Sequence, residues 1–146
     1  HSHLGARAIR QGLNVASISL MAPAVTVELF DRLLGGQIAQ RDIPVFIANL
    51  TDAAERSDDT CKPYGHSLLY LVSRSFEQDE ETPLLGMERH LAPALATHRW
   101  SVNLQQLRCP GGLWAGGSAA TSATTHGGVD DDQAVRDAVA AFIRGT

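Results

Sequence analysis

A continuous apolar run at residues 44–50, PVFIANL, constrains the fold of this chain more than any other feature. Its β-branched and aromatic residues favour a strand. Apolar and polar residues do not alternate within VFIA, which is typical of a strand buried on both faces of a parallel sheet. Because such a sheet must be covered by helices, the run predicts an α/β domain.

The remaining apolar patterns alternate between helix and strand periodicity. Strands are predicted at 15–20, 44–50 and 98–104, and helices at 5–13, 27–34, 67–77 and from Asp130–Asp132 to about Ile143. This order predicts an α/β fold with a parallel sheet flanked by helices. Residues 1–146 are expected to form a single domain, since 146 residues is an ordinary domain size.

Breaks between these elements follow from local residue chemistry. Gly35-Gly36 is expected to end the helix at 27–34. One helical turn is predicted at 52–57 and a short helix within 82–91, whereas the glycine-rich residues 111–128 predict a long loop.

Charge and composition exclude several classes of function. The net charge is −4, from 12 basic and 16 acidic residues, so neither nucleic acid nor an anionic membrane is an expected partner. No apolar run approaches the ~20 residues that a membrane span requires. Cys61 and Cys109 allow one disulfide at most. Reduced thiols in a cytoplasmic protein are therefore expected.

Three strands form a thin sheet with an open edge. The chain begins at His1, at what is predicted to be the turn before a helix. These two features lead us to expect that the N-terminal strands of a larger fold lie upstream. An exposed sheet edge would also allow self-association through added strand pairing.

Residues 1–7, HSHLGAR, resemble the nucleophile elbow of the α/β-hydrolase fold, where the sequence is often G-H-S-L-G. Alignment on His1-Ser2 places Ser2 at the nucleophile position, with one extra residue before Gly5. Alignment on Leu4-Gly5 places His3 there instead. The resemblance extends over nearly the whole chain, as the C-terminal portion of such a fold.

The resemblance implies a serine hydrolase of esterase type that acts on a small ester or related acyl substrate and needs no cofactor. Ser2, Asp52 and His126 follow the family order of nucleophile, acid and base. Ser2 would attack the carbonyl, His126 would take the proton, and Asp52 would orient the imidazole. The backbone N–H of His3 would be an oxyanion donor. Asp58 and Asp59 remain open as alternative acids.

A second motif, Gly65-His66-Ser67-Leu68-Leu69, also resembles the elbow. The residues before it are polar and include Pro63, so they do not predict the buried strand that an elbow requires. Ser67 is therefore predicted to be a helix N-cap.

Two other functions remain open. The side chains of His1, His3, Asp52 and His126 would supply enough N and O ligands for the zinc of a metal-dependent hydrolase. Alternatively, the chain would be an inactive truncated hydrolase or pseudo-hydrolase that acts as a binding module.

Overall fold

The computed structural model describes residues 7, 9, 11–62, 65–75 and 82–145. Within them, a parallel sheet has the order β1-β2-β3. Its strands are β1 (Ile18–Met21), β2 (Val45–Leu50) and β3 (Leu104–Cys109). All six residues of β2 are buried, as the apolar run predicts. The predicted α/β class with a parallel sheet is confirmed at this level.

Helices precede and follow each strand. They are α1 (Val27–Phe30), α2 (Gly36–Arg41), α3 (Asp52–Ser57), α4 (Leu68–Ser75), α5 (Glu88–Thr97) and α6 (Gln133–Gly145). A π-helical turn, Asp31–Gly35, joins α1 to α2. Short 3-10 turns lie at Arg99–Asn103 and His126–Gly128.

Alternate residues of β2 enter two separate cores. Val45 and Ile47 pack with α1, α2 and α5 on one face of the sheet. Phe46 and Ala48 pack with α6 on the other face, where Phe46 lies 5.5 Å from Phe142 between ring centroids. Both cores exclude water from the central strand, and burial of this kind is the main favourable term in folding.

The third predicted strand, at 98–104, is displaced along the chain. Residues Arg99–Asn103 form a 3-10 turn, and the strand begins at Leu104. Trp100 is the reason, because its ring is buried against Phe30 and its Nε1 donates to Asp31 Oδ1 at 2.8 Å.

The Gly35-Gly36 pair does not end a helix. The helical path continues to Arg41, and the left-handed residue is Asp42, with φ 51°. Gly35 lies in the π turn, where a Cβ would overlap the Asp31 carboxylate and the Trp100 ring. The lack of a side chain at Gly35 therefore allows close packing and does not end the helix.

Other predicted elements are present with shifted bounds. The turn at 52–57 is confirmed as α3, and the helix predicted within 82–91 is α5, which ends at Thr97. Of the predicted helix at 5–13, Arg7 and Ile9 are helical and Ile9 is buried. The other positions of its first half lie outside the described residues.

Cys61 and Cys109 are both free thiols. Along the described stretches, no helix has both the length and the apolar character needed to cross a membrane. Within those same stretches β1 and β3 are the edges of the sheet, so self-association through an edge stays a prediction.

Candidate active site

The predicted acid and base lie at the same end of the sheet. Helix α3 starts directly after β2, and Thr51 caps it by accepting a hydrogen bond from Ala54 N at 3.3 Å. Thr51 N in turn donates to Cys109 O, at the end of β3, at 2.7 Å. The carboxyl ends of parallel strands are where α/β folds place their ligands.

His126 is half-buried at this end of the sheet. Its backbone N–H donates to Asp58 Oδ2 at 2.7 Å. Its ring Nδ1 is buried and has no hydrogen-bond partner among the described residues. Burial lowers the pKa of His126, while the negative charges of Asp58 and Asp130 act in the opposite direction. The imidazole is therefore mainly neutral at pH 7, the form in which it accepts a proton.

Asp58 is the carboxylate that the structure places against His126. It caps the end of α3 and is 2% exposed. It accepts hydrogen bonds from Thr60 N at 3.0 Å and from the Thr60 hydroxyl. Burial on its own raises the pKa of Asp58, but the bonds from Thr60 and from His126 N outweigh it and lower the pKa overall. Asp58 is thus a negative charge beside the imidazole.

Asp52 lies in a different network. Its carboxylate accepts hydrogen bonds from the Tyr70 hydroxyl and from Arg56 Nε, each at 2.8 Å. Its backbone N–H donates to Glu88 Oε2 at 2.8 Å. Arg89 Nη1 also donates to the Tyr70 hydroxyl, at 3.1 Å. These bonds tie α3 to α4 and α5, so the geometry assigns Asp52 a clear structural role and leaves its catalytic role a prediction.

The predicted nucleophile Ser2, the oxyanion residue His3 and the alternative metal ligand His1 lie outside the described residues. Asp59, the other alternative acid, is exposed and pairs with Lys62 at 3.3 Å. The structure therefore brings His126 together with Asp58, one of the two alternative acids.

The second elbow-like motif is a helix start. Ser67 directly precedes α4, and its Oγ accepts a hydrogen bond from Tyr70 N at 3.4 Å. The predicted N-cap is confirmed. Ser67 is completely buried and donates its own proton to Glu55 Oε2, so a substrate carbonyl has no access to it.

A cavity of about 380 Å³ opens beside the Asp58–His126 contact. Its walls include Thr51, Ser57, Asp58, Pro110 and Thr125. Thr51 follows β2 and Pro110 follows β3, so the cavity lies at the carboxyl ends of these strands. Thr125 directly precedes His126, whose own side chain does not line the cavity. A space of this volume accommodates a small organic ligand.

In the parts of the chain that are described, no three side chains of His, Cys, Asp or Glu are arranged to hold a metal ion. The alternative zinc centre also requires His1 and His3, which lie outside those parts. That centre stays a prediction.

The sequence indicates Asp58 only as an alternative acid. A local signal favours it: in Asp58-Asp59-Thr60 the carboxylate bonds to the backbone N–H two residues later, which is an Asx turn. The sequence does not predict the burial of Glu55, because no local pattern in its helix distinguishes this carboxylate from an exposed one.

The chain matches no family model, and comparisons with curated proteins and with solved structures found no match.

Proposed function

We propose that this chain carries the acid and base of a serine hydrolase of esterase type, with His126 as the base, Asp58 as the acid and Ser2 as the nucleophile. The observation that carries the proposal is the contact of Asp58 with His126 at the carboxyl ends of β2 and β3, beside a cavity of about 380 Å³. The resemblance of residues 1–7 to a nucleophile elbow supplies the serine.

The acid in this proposal replaces Asp52. The carboxylate of Asp52 already accepts two hydrogen bonds, from Tyr70 and Arg56, whereas Asp58 touches His126 itself. An acid that stabilises an imidazolium must keep its charge close to the ring. The lowered pKa of Asp58 favours the ionised form that this role requires.

The chemistry follows from these assignments. Ser2 Oγ adds to the ester carbonyl carbon while its proton passes to His126. Collapse of the tetrahedral intermediate breaks the ester C–O bond, and His126 returns the proton to the departing alcohol. Water then attacks the acyl-serine in the same way, which releases the carboxylic acid and restores Ser2. The negative charge of Asp58 stabilises the imidazolium in both halves of the reaction.

In the structure, the bond from His126 to Asp58 uses the backbone N–H, and Nδ1 is not paired. A triad requires an Nδ1–H bond to the acid. Catalytic hydrogen bonds are often long or poorly aligned before substrate binds. The proposal therefore includes a reorientation of the Asp58 carboxylate toward Nδ1, in which an Nδ1–H bond replaces the bond from the Thr60 hydroxyl.

Labelling with a fluorophosphonate probe, followed by peptide mass spectrometry, tests the proposal. We expect an adduct on Ser2 that is lost in Ser2→Ala and slowed about 10²–10⁴-fold in His126→Gln, the range of general-base contributions. His98→Gln is the control, because His98 pairs with Asp31 at 3.2 Å on the other side of the sheet.

An adduct on another residue, or labelling of a folded His126→Gln variant at the rate of the unmodified protein, would contradict the proposal. Folded protein with no adduct would favour the pseudo-hydrolase. Activity that disappears with a chelator and returns with zinc would favour the metal-dependent alternative.

A further inference from the structure

Glu55 is a buried acid that the proposed chemistry does not use. It lies in α3 with no exposed surface. Its Oε2 accepts the proton of Ser67 Oγ, and its Oε1 has no hydrogen-bond partner among the described residues. A buried carboxylate with one hydrogen bond strongly disfavours ionisation, because water can no longer solvate its charge.

The contact between Glu55 and Ser67 joins the two ends of the segment 55–67. The backbone N–H of Ser67 donates to Glu55 O at 3.1 Å, which adds a second bond between the same residues. The chain between them includes Asp58, whose backbone N–H donates to Ala54 O at 2.9 Å. The contact between Glu55 and Ser67 therefore closes the segment in which Asp58 lies.

Two nearby carboxylates add to the cost of ionising Glu55. The ionisable residues on α3, on its cap and on the segments that hydrogen-bond to them include Asp52, Arg56, Asp58, His66, Tyr70, Glu88 and Arg89. Arg56 and Arg89 both donate to the Tyr70 hydroxyl, at 3.1 Å. The carboxylates of Asp58 and Asp52 both repel a charge on Glu55.

Strand β2, which packs against α3, contains no ionisable side chain. Burial raises the pKa of Glu55 from 4.5 to about 7, against the lowering effect of the Ser67 bond and with the help of Asp58 and Asp52. Glu55 therefore changes its charge near neutral pH, where the proposed chemistry also requires a neutral His126.

We propose that Glu55 and Ser67 form a protonation-dependent latch that positions Asp58 against His126. The latch is closed when Glu55 is neutral. When Glu55 ionises, the solvation of its charge outweighs the stronger bond that a carboxylate accepts from Ser67 Oγ. Residues 55 and 67 then separate more often, and Asp58 loses its fixed position. Glu55 is a positioning residue in this scheme, and its importance for catalysis rests on the proposed function, whereas the latch itself does not.

Amide hydrogen exchange tests the opening. The exchange rates of residues 58–60 and 67 are measured at pH 5 and pH 8 in the unmodified protein and in Glu55→Gln. At a given pH the intrinsic exchange rate of each amide is the same in both proteins. The ratio of the measured rate in the unmodified protein to that in Glu55→Gln therefore reports how much more often the pair opens. Because the pKa rises from 4.5 to about 7, we expect this ratio to grow on the order of 10²-fold between the two pH values. A ratio independent of pH would overturn the latch.

The titration of Glu55 is measured directly with glutamate labelled at the carboxyl carbon. The Glu55 signal is the one absent from Glu55→Gln, and Glu28→Gln is the control, since Glu28 is an exposed acid paired with Arg32. We expect a midpoint near pH 7 and a higher midpoint in Ser67→Ala, which removes the one hydrogen bond. A midpoint near 4.5 in folded protein would overturn the latch.

The ring signals of His126 report positioning. We expect them to show a step near pH 7 in the unmodified protein that is absent from Glu55→Gln, which a purely structural role of Glu55 would not produce. No such step, in a protein where Glu55 titrates near 7, would separate Glu55 from Asp58 and overturn the positioning role. None of these measurements requires turnover, so failure of the probe to label Ser2 would contradict the proposed function and leave the latch standing.

Discussion

Asp58 Oδ2 accepts a hydrogen bond from the backbone N–H of His126 at 2.7 Å, across 68 residues of sequence. The bond joins the end of α3 to the segment that follows β3. Through this bond a carboxylate and the candidate base meet at this edge of the sheet.

The two candidate acids are separable by substitution. We expect Asp58→Asn to slow labelling of Ser2 by at least tenfold, because it removes the charge beside His126 and preserves the side-chain shape. Asp59→Asn is a matched control, since Asp59 is adjacent, exposed and paired with Lys62. We expect Asp52→Asn to affect stability more than labelling, since its carboxylate bonds to Tyr70 and Arg56. The rates of labelling and the free energies of unfolding in urea would be measured together.

A larger loss of labelling in Asp52→Asn than in Asp58→Asn, with both proteins folded, would return the acid role to Asp52. Slow labelling in Asp59→Asn would show that the assay responds to charge in general.

Glu55 and His126 oppose each other in the pH dependence of stability. The pKa of Glu55 is raised on folding to about 7, so its contribution is most favourable at low pH and is lost as the pH rises from 4.5 to 7. The pKa of His126 is lowered on folding, so stability falls as the pH drops below its ordinary value of 6.5. We therefore compare the free energies of unfolding of Glu55→Gln and the unmodified protein. We expect the difference to change in favour of Glu55→Gln by on the order of 2–3 kcal/mol from pH 5 to pH 8.

For His126→Gln we expect the opposite: relative to the unmodified protein, its free energy of unfolding should be higher at pH 5 than at pH 8. Urea denaturation at the two pH values measures both effects, and Glu28→Gln serves as the control for an exposed acid. Equal pH profiles for all of these proteins would contradict both burial arguments.

Gly35 and Gly36 form a matched pair for packing. We expect Gly35→Ala to cost about 1–3 kcal/mol, because the added Cβ meets the Asp31 carboxylate and lies 2.7 Å from Trp100 Cδ1. Gly36→Ala should instead stabilise by up to about 1 kcal/mol, since nothing lies within 4 Å of its Cβ and alanine favours a helix. Thermal or urea unfolding compares the two. If Gly35→Ala does not lower the stability, close packing does not explain the glycine in the π turn.

Asp132 connects the start of α6 to the loop before it. Its carboxylate accepts bonds from Ala134 N at 2.8 Å and from Ala123 N at 2.7 Å. Burial raises the pKa of Asp132, but hydrogen bonds led by that from Ser122 N lower it overall, so its stabilisation is complete above pH 4 and is lost as the pH falls further. We expect Asp132→Ala to cost about 1–3 kcal/mol at pH 7.

Asp131→Ala is the control for Asp132, because its side chain is 88% exposed. Unfolding measured in urea at pH 7 and at pH 3 should show a difference between the two variants that shrinks at pH 3. A difference that does not depend on pH would contradict the role of the charged cap.

Local patterns were sufficient for several elements. The apolar run at 44–50 predicted a strand buried on both faces, and β2 is one. Ser67 was predicted as an N-cap, and it caps α4. The shift of the third strand was not predictable, because the turn at Arg99–Asn103 depends on a bond from Trp100 to Asp31, 69 residues away.

The sequence by itself determined which segments are apolar enough to form the sheet and its covering helices, because periodicity and capping are local properties of the chain. The tertiary structure alone decided which carboxylate meets His126 and which is buried. Asp52, Glu55 and Asp58 stand three residues apart on one helix and its cap, yet one bonds to Tyr70, one to Ser67 and one to His126 N. Their different roles arise from solvent exclusion and from long-range partners, and neither is present until the sheet and its helices have packed.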